Sequence, residues 1–154
     1  MLARFAITLL APLALLASTP AAAQADGIIR VRSAYSMPET IARIKEDVAA
    51  KGIMFFSEVD QAGLAAAAGI KLRPSTLLTF GNPALGTLFI TAKPEAGLDW
   101  PVRLLVTQDD GGVVWAVYTD FKWIAARHGI RDRDSEFAMA TRVIGSIAAS
   151  VAAH

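Results

Sequence analysis

The chain contains no cysteine, so whatever it folds into is held by packing and hydrogen bonds, with no disulfide to close a loop. The same absence removes thiolate metal sites, cysteine nucleophiles and covalent c-type haem attachment. It weighs more because the N-terminus predicts export, a setting that ordinarily permits disulfides. Residues 1–4 carry one positive charge, residues 5–16 are apolar apart from Thr8, and Ser18-Thr19-Pro20 breaks the run. Ala21-Ala22-Ala23 and Ala23-Gln24-Ala25 both fit the small-residue cleavage pattern of a secretory signal. The apolar stretch is about a dozen residues, short of the roughly 20 that a spanning helix needs. The expectation is a cleaved signal peptide over 1–25, a single domain over 26–154, and a periplasmic or secreted location.

No second apolar stretch approaches membrane length, so no membrane association is expected after cleavage. Cleavage removes Arg4, one of 15 basic residues, leaving the basic residues equal in number to the 14 acidic ones. A balanced domain with only short pairs such as Arg30-x-Arg32 lacks the concentrated basic face that nucleic acid requires.

Residues 28–33 alternate apolar and polar side chains, as a half-buried strand does. Ser36-Met37-Pro38-Glu39 predicts a helix start, with Ser36 as cap, Glu39 as its capping-box partner and Pro38 in the first turn. Met37, Ile41, Ile44 and Val48 then recur at helical spacing up to Lys51-Gly52. Residues 53–59 and 75–80 read as strands, the second nearly all apolar and so expected at the sheet centre. Asp60 is placed to cap a short Ala-rich helix. The segment 84–91 has helical character, and Pro94 and Gly97 mark a loop. Two further strands, 102–107 and 113–118, flank Asp109-Asp110-Gly111-Gly112, a strong hairpin signal. Asp120 opens a short helix that ends at His128-Gly129. A last helix from about Asp134 gathers Phe137, Ala140, Ile144, Ile147 and Val151 on one face. Five strands and several helices around one sheet predict an α+β domain, with a mixed, antiparallel-rich sheet.

Few residues carry obvious chemistry. Phe80-Gly81-Asn82-Pro83, followed by Gly86-Thr87, has the spacing of a phosphate loop but no lysine to reach the phosphates. Gly81 and Asn82 could still hold a carboxylate at the helix start, with Arg73 near in sequence; the plain alternative is a tight turn. Of the two histidines, His154 is the terminal residue, and His128, within the body of the domain, could ligate haem iron or act as a base. Equally, Arg127-His128-Gly129 is the pattern of a helix end, where a basic residue meets free carbonyls before a capping glycine. One such histidine and no cysteine cannot furnish a transition-metal site, and Asp132-x-Asp134-x-Glu136 reads as a helix start. No G-x-S-x-G nucleophile turn occurs.

Three stretches together resemble one bacterial family, the domain of unknown function 302. They are the run from Gly69-Ile70-Lys71-Leu72-Arg73-Pro74 through Phe80-Gly81-Asn82-Pro83 to Gly86-Thr87, the run Asp99-Trp100-Pro101-Val102-Arg103, and the run Ile124-Ala125-x-Arg127-His128-Gly129-Ile130. The resemblance implies a compact α+β fold and a homodimer, and it does not by itself imply an enzyme. It also places His128 in the family's Arg-His-Gly signature and Gln61 where similar sequences often carry histidine.

The leading expectation is a dimeric periplasmic ligand-binding or sensing module for an apolar anionic ligand, haem being the sharpest candidate. His128 would be the axial ligand, and Arg73, Arg103 or Arg127 would pair with propionates. The alternative is a structural or protein-interaction domain with no small-molecule ligand. A third reading, a hydrolase or isomerase with His128 as a lone base beside Asp120 or Asp132, lacks a nucleophile, so the sequence leans away from an enzyme.

Overall fold

The computed structural model describes residues 26–153; the expected signal peptide lies outside them. The elements are β1 (Ile28–Arg32), α1 (Met37–Ala50), β2 (Met54–Asp60), α2 (Gln61–Ala67), β3 (Ser75–Gly81) and α3 (Pro83–Ala92). A 3-10 turn (Pro94–Leu98) leads into β4 (Val102–Gln108), β5 (Val114–Thr119), α4 (Phe121–His128) and α5 (Asp134–Ala149). The strands form one sheet in the order β1-β5-β4-β3-β2, with every neighbouring pair antiparallel. The expected α+β class therefore holds. The sheet is wholly antiparallel; β3 is an interior strand as expected, with β4 at the middle of the order.

Strand alternation divides the sheet into two faces. One carries Leu78, Phe80, Leu104, Val106, Val114 and Ala116, all buried against Ile44 and Val48 of α1 and Phe137, Ile144 and Ile147 of α5. Phe89, Phe121 and Phe137 extend this core at one end, with Phe89 and Phe137 stacked 4.2 Å apart. On the opposite face Val59, Leu77, Leu105 and Val117 lie side by side in register. They stay half-buried and stand outside the core cluster.

Local rules explain most element ends. Asp60, Asn82 and Asp120 accept main-chain N–H groups at the starts of α2, α3 and α4. Gly129 ends α4 at φ +64°, a left-handed conformation that suits glycine. The capping box expected at Ser36 is absent. The Ser36 side chain makes no cap hydrogen bond, and Glu39 pairs with Arg43 one turn on. After the last helix, Ala34 N–H donates to Val151 and Ala153 N–H to Arg32, so the C-terminal residues extend the β1 edge. Among the described residues no helix is long and apolar enough to cross a membrane.

Candidate functional site

The chemistry-bearing residues of α4 and β4 converge on a carboxylate that the sequence reading had not singled out. Asp99 sits between the 3-10 turn and β4, and its side chain is 5% exposed. His128 Nε2 lies 2.6 Å from Asp99 Oδ2, and the imidazole is itself only 6% exposed. Arg127 Nη1 donates to both carboxylate oxygens at 3.1 and 3.2 Å. Arg103 Nη2 donates to Oδ1 at 2.9 Å and to the Leu98 carbonyl at 2.8 Å. A carboxylate accepts only, so the imidazole presents its Nε2–H here. Nearby, Glu95 is held below the usual glutamate value by main-chain hydrogen bonding in the 3-10 turn, then by Lys93.

Asp99 is one half of a two-sided anchor. Its neighbour Trp100 turns the other way and lies against Gly81 and Gly86. A Cβ at Gly86 would overlap the indole, and one at Gly81 would come within 2.9 Å of Nε1. The glycines of the 81–86 loop thus make room for a ring; they do not cradle a phosphate. A register shift in β2 leaves Phe56 unpaired between Phe55 and Ser57. That bulge brings Phe56 edge-on to Trp100, with ring centres 5.9 Å apart at 77°. The three sequence stretches that mark the family are therefore one physical unit, joined through Asp99 and Trp100.

Beside the Trp100 clamp is a cavity of about 390 Å³ between α3, α5 and the ends of β3 and β4. Phe80, Phe89, Phe121, Ala140 and Ile144 form its floor and walls. Gly81, Asn82, Trp100, Met139 and Lys51 stand around them. A larger concavity of about 1130 Å³ runs from Tyr35 and Met37 past Asp60 and Leu72 to Gln108. It is open to solvent and of mixed polarity. The smaller, mainly apolar cavity of ligand size is the better binding geometry.

The site expected from the sequence is not assembled as one pocket. Gly81 and Asn82 line the apolar cavity. Arg103, Arg127 and His128 meet at Asp99, whose carboxylate takes the place that propionates were expected to fill. Arg73 is apart from both, paired with Asp110 of the hairpin at 2.7 Å. Asn82 caps α3 by accepting from Leu85 N–H. Gln61 Oε1 accepts from Ser75 Oγ at 2.7 Å. No group of three or more metal-ligating side chains occurs among the described residues. Asp99 could have been found from its sequence setting, since an acid next to Trp-Pro and four residues before Arg103 is well placed for burial with a partner.

The family model described as "Domain of unknown function DUF302" matches residues 29–149. Two curated relatives, each named fluoride-specific ion channel FluC 1, come from Brucella suis biovar 1 (strain 1330) and Brucella abortus biovar 1 (strain 9-941). Each is 37% identical over 121 residues, which is 79% of this chain and 47% or 44% of the relative. The chain thus spans about half the length of the curated relatives it matches. A crystal structure of an uncharacterised conserved DUF302 protein from Bacillus stearothermophilus superposes with a TM-score of 0.75 at 16% identity. The match covers 82% of this chain and 99% of that one, and it shows the shared fold.

Proposed function

The chain belongs to the family described as domain of unknown function DUF302, and from that premise we propose that it is an exported binding module for a small apolar ligand. The observation that carries the reading is the 390 Å³ cavity beside Trp100, walled by aromatic and aliphatic side chains. Its neighbour, the Asp99 cluster, is the support: it fixes the segment that presents Trp100, and Asp99 and Arg103 lie beside Val102 and Phe121 of the cavity wall. Haem is not the ligand proposed. His128 Nε2 is committed to Asp99 in a nearly inaccessible position, so axial ligation would break the pair that anchors the segment. Fluoride conduction belongs to the names of the longer relatives and is no part of the proposal.

The test is a titration of the domain, residues 26–154, with the neutral dye N-phenyl-1-naphthylamine. The expected result is saturable one-to-one fluorescence enhancement that Ala140→Leu, which fills the cavity, reduces at least tenfold in affinity. Enhancement unaffected by that substitution would place the dye elsewhere and overturn the reading. Export is checked separately, by the mass of the processed protein recovered from a bacterial periplasm.

A second reading, self-association, is favoured by the arm between β2 and β3. Helix α2 has no buried residue, and Leu64, Ile70 and Leu72 are 64%, 61% and 48% exposed. Apolar side chains gathered on an arm in this way fit a partner surface, and a second copy of the chain is the partner proposed.

A further inference from the structure

Resting on the cavity reading above, we infer that the ligand is a neutral, mainly apolar molecule with one hydrogen-bond acceptor, recognised by the indole N–H of Trp100. The inference comes from taking the polar groups of the wall one at a time. Lys51 Nζ is held by both carboxylate oxygens of Asp47 at 2.6 Å. Asn82 is exposed at the rim, and its side-chain oxygen accepts from Leu85 N–H. Gly86 N–H donates to the Asn82 carbonyl at 2.8 Å, and Gly81 lies within the β2–β3 ladder.

Trp100 is different. Its indole is half-buried, closely fitted by Gly81 and Gly86 and flanked by Phe56, yet no residue accepts from Nε1 among the described hydrogen bonds. The half-buried indole of Trp115, by contrast, has its acceptor in Asp109. Indole N–H groups usually find an acceptor, and this one is open enough to take it from a bound molecule, because no buried side-chain nitrogen or oxygen among the described residues lacks a partner. The indole lies closely against both glycines at the cavity wall, which sets the position of the donor. An unpaired donor so placed in an otherwise apolar wall recognises a single carbonyl or ether oxygen on a hydrocarbon body. With Lys51 engaged by Asp47, the wall offers no free cation for a carboxylate, so a neutral acceptor fits better.

The experiment compares 1-tetralone with tetralin, two bicyclic molecules of nearly equal size that differ by one carbonyl. Binding is followed by the indole N–H resonances of the ¹⁵N-labelled domain, assigned with Trp115→Phe and Trp123→Phe. Tetralone should bind at least about fivefold tighter than tetralin, the worth of one neutral hydrogen bond. It should also move the Trp100 indole proton downfield, which tetralin should not. In Trp100→Phe, which keeps a ring between the glycines, the two affinities should become equal. Equal binding of both compounds to the wild-type domain, with no indole shift, would overturn this inference and leave the cavity reading standing. Binding of neither compound would overturn both. The wild-type comparison alone is decisive if Trp100→Phe does not fold.

Discussion

His128 and Asp99 are 29 residues apart in sequence and 2.6 Å apart in space, both nearly sealed from solvent. The pair ties the C-terminal end of α4 to the segment that leads into β4. Arg103 and Arg127, both about half-exposed, complete the ring of donors around the carboxylate.

Replacing Asp99 by asparagine removes the charge and one of the two acceptor oxygens, and turns an amide N–H₂ toward the surrounding donors. Asp99→Asn should destabilise the domain by about 2–4 kcal/mol, the lower part of the range for breaking a buried pair because the arginines can turn to water. Urea denaturation gives the value. A loss under half a kilocalorie would show that the cluster is not an anchor.

The fit of Trp100 against Gly86 predicts a second effect. Gly86→Ala should cost about 1–3 kcal/mol, as overpacking does in a well-filled region. It should also displace the indole and change its fluorescence. The same substitution at Gly145, where an added Cβ meets nothing within 4 Å, serves as the helix control. Equal behaviour of the two variants would argue against the clamp.

The β4–β5 hairpin carries a pH-dependent lock. Asp109 accepts from Trp115 Nε1, Gly111 N–H and Val113 N–H, each at 2.9 Å. These bonds, the Trp115 bond foremost, hold its carboxyl below the usual aspartate value of 3.8. A carboxyl depressed on folding adds stability above its unfolded value, and that stability is lost as pH falls through the folded value. The Trp115 indole resonance should therefore stay constant from neutral pH down to about 4 and move only below it. A midpoint above that value would contradict the assignment.

If the arm between β2 and β3 seats a second copy, Leu64→Glu with Leu72→Glu should give a monomer by light scattering. Both side chains are exposed and outside the core, so the stability of the isolated fold should change by no more than about 0.5 kcal/mol per site. An unaltered oligomeric state would rule the arm out as the contact.

Local signals in the sequence located the elements well. Phe137, Ala140, Ile144, Ile147 and Val151 read as one helical face, and all five are buried. Asp60 and Asp120 start the helices they were expected to start, and the Asp109–Gly112 turn joins β4 to β5. Each of these depends on neighbours a few residues away. Long-range relationships were not legible in the same way. Nothing local says that His128 faces Asp99, so its competing roles as helix cap and as ligand stay open in the sequence. Gly81 and Gly86 resembled an anion loop because spacing records that a side chain is missing, not what fills the room. Ser36 and Glu39 had the right residue types for a capping box, and Arg43 one turn on took Glu39 instead.

The way the last residues join the first strand has a consequence for how this unit can be built into larger chains. Ser33 bridges to Ala152, and Ala153 N–H donates to Arg32. The described stretch therefore starts and finishes along the same sheet margin, roughly one strand length apart, or about 17 Å for five residues. Additional polypeptide attached at either side emerges along that margin, the border opposite β2. The architecture behaves as a cassette: with both ends of the fold on one border, further chain can be joined there while its interior stays as it is.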